Sequence, residues 1–268
     1  MCGKILRKEV FMMSSLWVSF GELVAQGKDN LTFIGVSAAI IAILFAVAIL
    51  VEKVILKQPA KSIKNARYMA ICGLMSALSA ILMMFEIPLF FAPSFYEIDF
   101  GEVPALIGAF SLGPVAGVTI ELCKILLKLL IKGTTTAFVG DLSNFMLGCM
   151  LVVPASVIYH LHKSKKSALA GLAAGTVVMT IVGSVFNAVY LLPKFSQLYG
   201  IPLDGLVAMG NEVNSSINSV TTMVLFAVVP FNLLKGALVT LITMVLYKRI
   251  SPLLKTAGIH KRVGCNAK

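Results

Sequence analysis

Charge is scarce in this chain: 13% of its 268 residues are Asp, Glu, Lys or Arg, 58% are hydrophobic, and the mean hydropathy is +0.93. Soluble domains carry about 25% charged residues, so a water-facing globular fold is excluded. Acidic residues are scarcer than basic ones, 12 against 23, giving a net charge of +11. That excess does not point to nucleic acid, because the basic residues stand in short clusters at the ends of apolar runs, where the orientation signals of membrane proteins lie. The five cysteines (Cys2, Cys72, Cys123, Cys149, Cys265) lack paired spacing, so neither a disulfide framework nor a metal site is expected. His160 and His162 stand beside Lys163, Lys165 and Lys166 and read as a solvated basic loop. There is no H-E-x-x-H motif, no Ser-His-Asp set and no G-x-x-x-x-G-K-[ST] loop, so the chain is expected to be no enzyme and to hydrolyse no ATP itself. Met1 to Gly27 is no convincing signal peptide, since Ser, Gly and Glu22 break its apolar stretch.

What remains is a series of apolar runs of membrane-crossing length, without the repeated ten-residue alternation of a barrel. They cover Leu31 to Val51, Ala66 to Leu89, Val103 to Leu112, Val115 to Ile131, Leu142 to Leu161, Ala168 to Leu192 and Thr222 to Tyr247. Val103 to Ile131 is either one broken helix or a hairpin turning at Ser111-Leu-Gly-Pro114. Only the hairpin puts Lys57, Lys61, Lys64 and Arg67, then Lys163, Lys165 and Lys166, then Lys248, Arg249, Lys255, Lys261 and Arg262 on one side, as the positive-inside rule requires. The expected fold is an all-α integral membrane protein of the cell membrane. A six-transmembrane-helix bundle spans residues 66–254, with both its ends cytoplasmic. Before it stand an N-terminal segment (1–30), one additional hydrophobic helix (31–56) and a polar linker (57–65); a basic cytoplasmic tail (255–268) follows. Five basic residues follow the additional helix and four precede it, which places the N-terminus outside by a thin margin.

Several residues stand out against this apolar ground. Lys235 is the one charge between Thr222 and Tyr247. A lysine at the centre of a membrane helix costs about 2.5–3.5 kcal/mol on insertion scales and is normally turned to a polar cavity. Asn232 shares its face, and Pro230 leaves a carbonyl near Phe226 without its helical donor. Asn144 and Asn187 fall in the same outer half of the bundle. Carboxamides offer donors and acceptors together, which suits a flat heterocycle with mixed edges, although asparagines also bond helices to one another. Residues 88–100, Pro-Leu-Phe-Phe-Ala-Pro-Ser-Phe-Tyr-Glu-Ile-Asp-Phe, put five aromatics on an external loop, expected to be a lid or an interfacial anchor. Glu86, Glu97, Asp99, Glu102, Glu121 and Asp141 are half of the twelve acidic residues. Glu121, Lys124, Lys128 and Lys132 form one helical stripe, in which Glu121 neutralises Lys124 and the outer lysines snorkel. Ala70, Gly73, Ala77 and Ala80 line one face of the first bundle helix and suit close helix packing, as do Gly113-x-x-x-Gly117 and Gly171-x-x-x-Gly175.

The ordered series Asp99-Phe-Gly-Glu-Val-Pro-Ala-Leu-Ile-Gly-Ala-Phe110, Gly113-Pro-Val-Ala-Gly117, Glu121-Leu-Cys-Lys124, Asn144-Phe-Met-Leu-Gly148 and Phe231-Asn-Leu-Leu-Lys-Gly236 resembles the substrate-binding S components of energy-coupling-factor (ECF) vitamin transporters, most nearly the riboflavin-specific type. The resemblance covers about Ala66 to Leu254. It implies a six-helix subunit that captures riboflavin from outside under its first loop and works with a transmembrane coupling subunit and two ATPase subunits. Riboflavin would be the transported ligand, with no cofactor. Asn232, Lys235 and Asn187 would contact the flavin, and loop residues Phe91, Tyr96 and Asp99 would cover it, above a cavity that Asn144 also faces. Ala70, Gly73, Ala77 and Ala80 would meet the coupling subunit. The helix at 31–56 has no counterpart in such a core, and the connection from Lys194 to Val220 is long for the family. An S component for another vitamin or heterocycle, and a self-sufficient proton-coupled carrier using Glu121 and Lys124, remain as alternatives.

Overall fold

The computed structural model describes residues 31–57, 66–93, 95–134 and 136–254. The expected N-terminal segment 1–30, the linker beyond residue 57 and the basic tail 255–268 lie outside the described residues. The chain runs α1 (Leu31–Val54), α2 (Ala66–Met83), β1 (Ile87–Pro88), β2 (Glu97–Ile98), α3 (Glu102–Leu112), α4 (Pro114–Lys132), α5 (Val139–His162) and α6 (Lys165–Phe186). A π turn (Asn187–Leu191), α7 (Leu192–Tyr199), α8 (Leu203–Val213), α9 (Val220–Met223), a second π turn (Val224–Val228) and α10 (Val229–Leu254) complete it. Among the described residues five helical stretches are long and apolar enough to cross a membrane: 35–54, 66–83, 139–162, 165–199 and 220–247. Their outward faces carry Leu74, Leu78 and Ile81 of α2, Val177, Ile181 and Val185 of α6, and Leu233, Leu241 and Val245 of α10. Lipid can cover such a surface at no cost, whereas water cannot.

Residues 102–132 form the hairpin. The break falls at Gly113, whose φ of 118° an L side chain rarely adopts, followed by Pro114 at the first position of α4. Across it Gly117 lies on Ala109, Ile120 on Gly108 and Lys124 on Glu102, a register that only an antiparallel pair produces. A second antiparallel pair, α5 and α6, is brought close by Gly171 and Gly175. A Cβ on Gly171 would stand 2.6 Å from the Ala155 carbonyl oxygen, and one on Gly175 would strike that of Leu151. The Gly171/Gly175 spacing is thus a packing device; of the other pair, Gly113 makes the turn and Gly117 packs on Val152 and Ala109.

Both π turns have a proline as their cause. Pro193 and Pro230 lack the N–H that would bond residues 189 and 226, four positions earlier, and each turn widens around that carbonyl. The two wide turns touch, at the end of the bundle where Asn187 sits. Two stretches depart from the sequence reading. The first bundle helix ends at Met83 rather than Leu89, because residues 87–88 pair with 97–98 as a two-residue antiparallel ladder. The connection after Lys194 is largely helical. The Asn211 carboxamide donates to the Ile217 and Ser215 carbonyls and to Asn218, closing the end of α8.

α1 packs on α4 and α5, where Leu44 and Ala48 join Val118, Ile125, Phe145 and Cys149 in one apolar cluster. Its Glu52 is buried and accepts a hydrogen bond from the Val115 amide at 3.3 Å, so it caps the start of α4 from another helix. His160, expected in solvent, is buried near the same hairpin turn: its Nε2 lies 3.0 Å from the Ala109 carbonyl, and its ring packs beside Tyr159. The neighbouring lysines belong to the helix end, whereas residue 160 faces inward.

Candidate functional site

A cavity of about 300 Å³ opens between the π turns, α4, α5 and the loop that follows α2, at the low end of the range for small-molecule sites. Three carboxamides line it, from three helical stretches: Asn144 on α5, Asn187 in the first π turn and Asn232 on α10. Asn232 is set back against Gly183 of α6, where a Cβ would stand 3.1 Å from its Nδ2. Phe95, Phe195, Tyr199 and Phe231 supply aromatic wall.

The loop reaches into this cavity. The Tyr96 hydroxyl donates to Asn187 Oδ1 at 2.5 Å, and the Tyr96 ring leans on Phe231 with centroids 5.5 Å apart. Burial pushes the Tyr96 phenol above its usual range, against a lowering contribution from the Asn187 bond. Glu97 also lines the cavity; partial burial, then the charge of Glu86, raises its carboxyl, while Lys132 acts in the opposite direction. Phe91 is half-buried and packs with the loop's apolar cluster, outside the cavity lining. Its neighbour Phe90 is 92% exposed.

Lys235 is placed differently from the expectation. It does not line the cavity. Its ammonium donates to Asp99 Oδ2 at 2.9 Å and lies 3.1 Å from Glu102 Oε1, so one cavity-lining side chain, Asp99, separates it from the open space. Asp99 in turn accepts the Gly101 amide at its other oxygen, at 2.9 Å. Glu102 reaches Lys124 at 3.3 Å, and Lys124 reaches Glu121 at 2.6 Å, both 0% exposed. The stripe on α4 is therefore paired along its length rather than snorkelling. Lys128 meets Asp141 at 2.6 Å on the cavity wall, and Lys132 meets Glu86. Pairing removes most of the cost of placing these charges among apolar helices.

On the small-residue face of α2, Ala70, Gly73 and Ala77 are exposed. Ala80 is not part of it. It is 1% exposed, because the chain entering α3 crosses this end of α2, Gly101 lying against the Ser79 carbonyl. Lys128, Asp141, Phe95, Phe195, Tyr199 and Phe231 were not singled out as site residues. Asp141 and Lys128 had a signal, their charge in apolar surroundings, and Phe95 had one in the aromatic loop 88–100; Phe195, Tyr199 and Phe231 had none.

Membrane-length helices around a buried charge network define a multi-pass membrane protein. The chain matches the ECF transporter substrate-specific component family over residues 67–247 and belongs to that family, whose members are transporter subunits and not enzymes. It is 31% identical over 192 residues to the riboflavin transporter RibU of Staphylococcus aureus (strain TCH60), covering 72% of this chain and 94% of that protein. It is 28% identical over 200 residues to the riboflavin transporter FmnP of Bacillus subtilis (strain 168), covering 73% and 100%. A solved S component of a bacterial ECF transporter superposes with a TM-score of 0.56 at 30% identity, covering 72% of this chain and 99% of that one. The matched region begins after α1.

Proposed function

We propose that this chain is the riboflavin-binding S component of an ATP-driven ECF importer. It captures the vitamin from outside under the loop 84–101 and passes it inward with a coupling subunit and two ATPase subunits. The observation that carries this reading is the convergence of Asn144, Asn187 and Asn232 on one cavity walled by aromatic rings. An isoalloxazine edge alternates carbonyl and N–H groups, which carboxamides match in either sense, while its faces suit aromatic walls. Relatives that carry the riboflavin transporter name over nearly their whole length support the same ligand. Positive-inside counting puts the loop outside and the α5–α6 turn with Lys163, Lys165 and Lys166 in the cytoplasm. The exposed Ala70, Gly73 and Ala77 of α2 would meet the coupling subunit, since small side chains let another helix approach closely.

The test is purification in detergent and titration with riboflavin, read as quenching of flavin fluorescence. Saturable binding is expected, and Asn232→Leu should weaken it by about ten- to a hundredfold, the loss of one or two buried hydrogen bonds. No quenching after exchange of any bound ligand would refute riboflavin. Vesicles holding this chain without the ATPases should accumulate none.

A further inference from the structure

The buried network holds an odd number of charges. Asp99, Glu102 and Glu121 contribute three carboxylates and Lys124 and Lys235 two ammonium groups, all linked by contacts of 2.6 to 3.3 Å. With every group ionised the cluster carries one net negative charge in an almost water-free interior, which is costly unless a proton is taken up. The carboxylates differ in support. Asp99 accepts from both Gly101 and Lys235. Glu102 touches both lysines. Glu121 touches Lys124 alone among these, its carboxylate has no second donor beyond that ammonium, and it is seated on Gly148, where a Cβ would collide with it.

The surroundings add no further cation. Besides Lys124 on its own helix, Glu121 faces Glu102 from α3, the Cys149 thiol from α5 and Lys235 from α10. α2 presents the uncharged Ser79 to Lys124's side of the cluster. α1 brings Glu52 to Val115, about 9 Å further along α4 and of the same sign. Lys128, on the next turn, is taken by Asp141.

We propose that Glu121 is a proton-binding site linked to ligand capture, a proposal that rests on the cavity being the ligand site. Asp99 is both the cavity-facing end of the network and the partner of Lys235. A neutral ligand that fills the cavity strips water from Asp99; a ligand that draws Lys235 toward itself takes compensating charge from Asp99 and Glu102. Either event raises the cost of the unbalanced charge, so a proton from water adds to the Glu121 carboxylate and the cluster becomes neutral. Capture therefore takes up as much as one proton, and affinity rises as pH falls, by at most about tenfold per pH unit.

Riboflavin binding measured calorimetrically in two buffers of different ionisation enthalpy, between pH 5.5 and 8, gives the proton count. A positive uptake in the unaltered protein is expected; zero uptake across the range overturns the linkage. Glu121→Gln leaves two carboxylates and two ammonium groups, so it should bind riboflavin with no proton taken up; uptake that persists removes Glu121 from the role. The infrared carboxylic-acid band of the ligand-free protein, titrated with pH, should contain a component missing from Glu121→Gln, and its absence in the unaltered protein also overturns the proposal. Should riboflavin not bind while that band is present, the ligand assignment fails and the proton site stands.

Discussion

Tyr96 and Asn187, 91 residues apart in sequence, share a buried 2.5 Å hydrogen bond that ties the loop to the wall of the cavity. Tyr96→Phe removes the donor and leaves the carboxamide oxygen short of a partner, at a cost of about 1–3 kcal/mol. Hydrogen exchange of the ligand-free protein should show faster exchange at residues 96–99 in the variant and unchanged exchange in the middle of α5. Equal protection of the loop in both proteins would mean that this bond does not hold it.

Lys235→Met separates two descriptions of that lysine. A lone membrane lysine would be replaced with a gain in stability. Here the substitution strips Asp99 of its ion-pair partner and leaves Glu102 only Lys124, so it should destabilise by about 3–5 kcal/mol. Thermal unfolding in detergent checks the sign. Lys235→Met combined with Asp99→Asn should recover a large part of the loss, because it removes an orphaned charge.

Glu97 makes the loop pH-sensitive. Its carboxyl is raised, first by partial burial and then by Glu86, so the folded loop holds this proton more tightly than the unfolded chain. The contribution is present at pH below the ordinary carboxylate range and is lost as pH rises through the raised value. Exchange at Ile98, which pairs with Ile87, should accelerate over that window. Glu97→Gln should flatten the response, and Lys132→Met should move it to higher pH.

α1 contributes no side chain to the cavity lining. A chain starting at residue 57 should therefore bind riboflavin with nearly unchanged affinity while melting at a lower temperature, having lost the Leu44/Ala48 packing and the Glu52 cap on Val115. Glu52→Ala isolates the cap, worth about 1 kcal/mol. Loss of binding in the shortened chain would show that α1 shapes the cavity.

The sequence disclosed those features whose cause is local. Gly113-Pro114 marked the hairpin because backbone conformation and charge counting agree there, and the three asparagines stood out as polar groups at one depth of an apolar bundle. Pro230 pointed to a disturbed turn, although not to its becoming a π turn. Lys235 was legible as an anomaly but not as a partner of Asp99, which is 136 residues away. The pairings of Lys128 and Lys132 were hidden likewise, because their carboxylates come from other elements, α5 and the loop after α2. Ala80 and His160 were misjudged because what covers them comes from elsewhere in the chain: Gly101 beside Ser79, and Ala109.

α4 has its own consequence for how the protein is made. With Glu121, Lys124, Lys128 and Lys132 it is not among the stretches apolar enough to enter a bilayer unaided, and its partners are synthesised at different times. Glu86 and Glu102 precede it and Asp141 follows it. A nascent chain halted before α5 leaves Lys128 without Asp141, so α4 reaches its final depth only when the next helix arrives, while Asp99 waits for Lys235 on α10. Insertion of this hairpin is thereby completed only after the helix that follows it, and quality control during synthesis would act on it first.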